Sequence, residues 1–124
     1  MSKSEVESLR KRSREYMETY QFHLSKNMYA LAMFDLEQAL QLYVKAKLLE
    51  EGVLYPKTHN VRRLLELLAE IRNDGTLKKM IKDYAVELKL LEEAYIASRY
   101  VATEFKKDEV LKVEKVVNKV VKHG

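Results

Sequence analysis

The chain has no cysteine and no tryptophan, and its 124 residues include one proline and three glycines. Each scarcity removes a class of protein. Without cysteine there is neither a disulfide nor a thiolate metal site. With so little glycine and proline, the chain cannot supply the closely spaced turns of an all-β fold. Gly52, Gly75 and Gly124 are too scattered to build a P-loop or a dinucleotide-binding loop, which bring backbone amides to phosphate through clustered glycine. No Gly-x-Ser-x-Gly elbow occurs. None of His23, His59 and His123 follows an acidic residue by three positions, so the Glu-x-x-His ligand pattern of di-iron bundles is missing. No metal and no other cofactor is expected. No uncharged apolar run approaches the roughly 20 residues of a membrane span. The first residues, MSKSEVESLRKRSREY, contain no signal-like apolar stretch, and a cytoplasmic protein is expected.

What is present is apolar and charged in helical rhythm. Apolar residues make up 47% of the chain and charged ones 34%, the mixture of a folded chain rather than a disordered one. The length suits a single domain spanning residues 1–124. Ser4 and Glu7 form a capping box for a first helix over about residues 4–24. Ser25 or Asn27 is placed to cap a second over about 27–51. That helix is apolar around most of its girth, with one narrow polar strip of Glu37, Gln38, Gln41 and Lys45. Such a helix is expected to be surrounded by others. Phe34 falls on the polar side with no obvious partner. Gly52 supplies a left-handed ending. Pro56 and a capping Thr58 precede a third helix with the stripe Val61, Leu64, Leu65, Leu68, Ile71. Asn73-Asp74-Gly75 turns the chain into a fourth, whose seam runs Leu77, Ile81, Tyr84, Leu88, Leu91, Tyr95, Ser98, Ala102, Phe105. Asp108 caps a valine-rich last helix, whose three-and-four spacing outweighs the strand preference of valine. The expected fold is all-α, an antiparallel bundle of four to five helices.

Three groups of residues could carry function. Lys57, His59, Arg62 and Arg63 crowd the start of the third helix. Cations oppose the dipole there, so phosphate binding would explain them, and plain solvation or pairing with acids is the alternative. Tyr95, Arg99 and Tyr100 lie late in the fourth helix. A guanidinium one turn from a phenol can stack on a base and hold a phosphate, although a late Arg also suits the helix dipole. Arg10, Lys11, Arg12 and Arg14 spread around the first helix, as a solvated face or a contact with nucleic acid. The acid pairs Glu66/Glu70 and Glu92/Glu93 read as solvated surface.

Taken in order, FDLEQALQLYVKAKLLEEG, YPKTHNVRRLLELL and LEEAYIASRY resemble the HEPN domain family, over about residues 15–122. The matching features are Gln38-Ala39, Lys45-Ala46, Pro56 with Thr58-His59, and Tyr95 through Arg99-Tyr100. The resemblance implies a five-helix bundle, commonly a homodimer, that binds a nucleotide such as ATP or GTP, or RNA. It also implies, for some members, a minimal nucleotidyltransferase partner in a toxin–antitoxin-like pair. Many members are ribonucleases with an Arg followed by a His after four to six residues. After Arg99 those positions hold Glu104, Phe105 and Lys106, so the general acid or base of that chemistry is missing and a non-nuclease member is expected. Two alternatives stand beside it: a metal-independent ribonuclease using His59 with Arg62 or Arg63, and a purely structural interaction protein.

Overall fold

A computed structural model describes residues 3–100 and 104–124, with the backbone alone for 97–100. Six helices follow one another: α1 (Lys3–Ser25), α2 (Tyr29–Glu50), α3 (Val61–Arg72), α4 (Gly75–Asp83), α5 (Ala85–Tyr100) and α6 (Lys107–His123). The expected all-helical class stands, but the count of four to five does not. The expected fourth helix is two, broken at Tyr84 (φ −102°, ψ 24°), and residues 104–106 beyond it are not helical. The apolar seam hides the break. The Tyr84 amide still donates to the Met80 carbonyl, and the Tyr84 carbonyl still accepts from the Leu88 amide. The periodicity therefore passes straight through.

α2 is the axis of the fold, packed against α1, α3, α5 and α6. Ala32, Met33, Leu36, Leu40, Val44 and Leu48 fill the space around it. α3 buries Val61, Leu64, Leu65 and Leu68, while Ile71 stays at the surface. α6 buries Val110, Val113, Val116, Val117 and Val120 and is helical as its spacing predicts. Phe34 does have a partner, since its ring meets Tyr16 of α1 edge-on at 6.5 Å. Across the bundle, the Tyr20 hydroxyl of α1 donates to Glu114 of α6 (2.9 Å), and the buried Ser13 hydroxyl donates to the Ala39 carbonyl of α2 (2.6 Å).

The first three helices end alike. Asn27, Gly52 and Asn73 each take a left-handed conformation, with φ of 58°, 78° and 51°. In each case the left-handed residue and the one after it return their amides to the last turn of the helix, which is a Schellman ending. Several expected caps change accordingly. Ser4 lies inside α1 and does not begin it. Asn27 closes α1, the Ser25 hydroxyl bonds the Phe22 carbonyl, and α2 starts from Met28 without a side-chain cap. α6 starts from Lys106, whose amide donates to Glu109, with Asp108 already in the first turn.

Candidate functional site

The turns at both ends of α2 differ in length. Asn27 and Asn73 turn the chain within two or three residues, whereas residues 51–60 cross the bundle surface before α3 begins. Pro56 starts the last part of this crossing. The Thr58 amide donates to the Pro56 carbonyl (2.8 Å), and the Thr58 hydroxyl accepts from the Asn60 amide (3.1 Å). The tight turn moves the helix start two residues on. Asn60, not Thr58, is the cap of α3, accepting from the Arg63 amide at 3.2 Å. Its amide group also donates to Glu92 of α5 (3.1 Å), so Glu92 is half-buried rather than plain solvated surface.

This crossing lies over the polar strip of α2. Glu37 is fully buried and Gln41 is 3% exposed. A buried carboxylate must be met by donors, and here amide groups meet both of its oxygens: Gln38 at 2.6 Å and Gln41 at 2.7 Å. The Gln41 carbonyl in turn accepts from Lys45 (2.9 Å) and from His59 Nδ1 (3.2 Å). Burial holds the Lys45 ammonium below the usual lysine range, opposed by the charge of Glu37. The same ammonium sits 5.1 Å above the Tyr55 ring.

His59 then stacks on Tyr95 of α5, ring centres 4.9 Å apart and planes within 20°. With Asn60, Glu92 and Ile96 the two rings line a pocket of about 180 Å³. Sequence reasoning placed His59 and Tyr95 among the site residues and missed Glu37, Gln41, Asn60 and Glu92. The signal for the first two was available: a polar strip on a helix surrounded by others has no water to face, and so must meet polar partners.

The cations are arranged less simply than expected. Lys57, Arg62 and Arg63 are exposed at the head of α3 and form no ion pair among the described residues. Arg62, however, lines a different groove, of about 670 Å³, with Glu66, Glu70, Lys78 and Lys82. The side chains of Arg99 and Tyr100 lie outside the described residues. In α1, Arg10 pairs with Glu50 at 3.4 Å. Arg10 and Arg14 border a groove of about 240 Å³ with Tyr43, Val117 and Val121, whereas Lys11 and Arg12 point to solvent. The other two histidines hold carboxylates elsewhere. His23 Nδ1 lies 2.5 Å from Asp35, whose acidity burial weakens against the opposing effect of His23. His123 Nε2 lies 2.7 Å from Asp74, whose carboxyl is held low, first by the Leu77 amide and then by His123.

Among the described residues, no three His, Asp or Glu side chains cluster so as to hold a metal ion, and no helix is long and apolar enough to cross a membrane. The family model described as HEPN domain matches residues 6–123, nearly the whole chain. No curated protein and no solved structure matches significantly.

Proposed function

Since the chain belongs to the HEPN domain family, a family of nucleotide- and RNA-related modules, we propose that it binds the phosphate of a nucleotide or RNA and performs no catalysis itself. The observation that carries this reading is the parallel His59–Tyr95 stack at the connection into α3, together with Lys57, Arg62 and Arg63 of that same connection and helix start, which are exposed and form no ion pair among the described residues. Stacked rings offer a flat apolar surface on which a base can be laid. Lys57, Arg62 and Arg63 supply positive charge at the amino end of α3, where the helix dipole also favours an anion. Arg99 and Tyr100 of α5 are assigned to the same ligand in this reading, and Arg10, Lys11, Arg12 and Arg14 to longer nucleic acid. The family further suggests a homodimer acting as the accessory subunit of a nucleotidyltransferase. Co-purification with a nucleotidyltransferase chain, read by native mass, tests that part.

The binding test is calorimetric titration with ATP, GTP and a short single-stranded RNA, comparing the protein with an Arg62→Ala, Arg63→Ala double variant. Loss of two phosphate contacts lowers the salt slope for RNA by about 1.4. Equal binding and equal slopes in both proteins would remove the proposed site. Absence of binding by either would remove the activity. Metal-independent cleavage of the RNA, abolished in His59→Ala, would replace this reading with the ribonuclease one.

A further inference from the structure

The amide of Gln41 has only one workable orientation. The Lys45 ammonium can only donate, so the group it meets at 2.9 Å is the Gln41 carbonyl, and the Gln41 NH₂ is left to donate to Glu37 at 2.7 Å. The Gln41 carbonyl is thereby turned toward Lys45 and His59. Flipping the amide would set its oxygen against the carboxylate and its NH₂ against an ammonium, losing both bonds. An acceptor 3.2 Å from His59 Nδ1 requires a proton on that nitrogen. The second nitrogen, Nε2, is then the deprotonated one in the neutral ring. The buried polar strip of α2 thus reaches, through Gln41, the Nδ1 of a histidine on a surface loop.

We infer that Glu37 and Gln41 are positioning residues, which hold His59 in its Nδ1–H form with its ring fixed against Tyr95. The ring geometry stands on the contacts above. Its use by a ligand rests on the proposed nucleotide or RNA binding. Fixing the ring in advance matters there, because a platform already ordered loses less freedom when a base settles on it. The strip lies on α2, the most enclosed helix, so the chain of contacts is anchored on rigid backbone while the residue it controls lies on the crossing loop.

The full chain tests this by ¹⁵N NMR of the imidazoles at about pH 8, where an ordinary histidine is neutral. His59 is expected as the Nδ1–H tautomer. Gln41→Leu removes the acceptor and is expected to shift His59 toward the Nε2–H tautomer favoured by free histidine. The exchange Glu37→Gln with Gln41→Glu keeps one carboxylate in the strip, a donor–acceptor pair between the two positions and an acceptor facing Lys45 and His59, and is expected to preserve Nδ1–H, which guards against a loss of folding in the leucine variant. An Nε2–H tautomer in the unaltered chain, or in the exchanged pair, overturns the inference. So does an unchanged tautomer in a folded Gln41→Leu protein. These readings need no ligand, so they stand even if ATP and RNA fail to bind. Where ATP does bind, Gln41→Leu is expected to weaken it about three- to tenfold, the scale of one lost hydrogen bond. A shifted tautomer with unchanged ATP affinity leaves the geometry but overturns its role in binding.

Discussion

Replacing Asn60 with alanine strikes the head of α3 and its tie to α5 together. The side chain caps the Arg63 amide at 3.2 Å, and losing such a cap costs about 1 kcal/mol. It also donates to Glu92 at 3.1 Å. Glu92 remains partly solvated and keeps Lys89 at 3.4 Å, so this second loss is about 1 kcal/mol rather than the upper range for a charged acceptor. The sum is about 2 kcal/mol. An unfolding entropy of about 2.1 cal/mol/K per residue turns this into a fall in Tm of about 8 °C for a chain of this length. Asn60→Asp separates the two contributions. Aspartate can still cap, and its charge suits a helix start, but it brings a second carboxylate against Glu92. It is expected to lose about half as much at neutral pH, and to recover on acidification as one carboxyl takes a proton. The alanine variant is not expected to recover. Thermal unfolding followed by circular dichroism at two pH values reads both. An alanine variant within about 2 °C of the parent, or an aspartate variant equally costly at both pH values, would refute the reasoning.

Two further outcomes follow from the core and its ionisable pairs. Leu40→Ala, at a fully buried position on the axial helix, is expected to cost about 3 kcal/mol in urea denaturation, with the slope of the transition unchanged. Asp74 and Asp35 should give opposite trends in acid. The folded pKa of Asp74 is depressed, so its contribution is present above the unfolded value of 3.8 and is lost as pH falls through the folded one; Asp74→Asn should flatten that loss. The folded pKa of Asp35 is raised, chiefly by burial. The folded state therefore binds the proton more tightly, and stability declines as pH rises from 3.8 through the raised value; Asp35→Asn should abolish that decline. Urea midpoints between about pH 2 and pH 6 distinguish the two, and parallel curves for both variants would contradict the assignment.

Much of this architecture can be read from residue spacing because burial repeats with the helical period. Val61, Leu64, Leu65 and Leu68 of α3, and the valines of α6, declare their inner faces directly. Gly52 declares a left-handed ending, since only a residue without a Cβ takes that conformation at no cost. The break at Tyr84 leaves no such mark: with no glycine or proline beside it, and hydrogen bonds continuing on both sides, the apolar seam stays in phase. The cap at Asn60 was concealed by the Thr58 turn, whose closure onto the Pro56 carbonyl depends on backbone geometry rather than on residue type alone. The site divided in the same way. His59 and Tyr95 stand out as rings near cations, whereas Glu37 and Gln41 look like a solvent-facing strip until the crossing loop is known to cover them.

The unequal connections on either side of α2 have a consequence for how such a protein can diversify. Where the chain reverses within two or three residues, a substitution disturbs the packing of both adjoining helices. The long passage from Gly52 to Asn60 has slack: Leu54, Pro56 and Lys57 project outward and can be exchanged with little penalty to the bundle beneath. Sequence can therefore vary at these three surface positions while the helices beneath keep their packing.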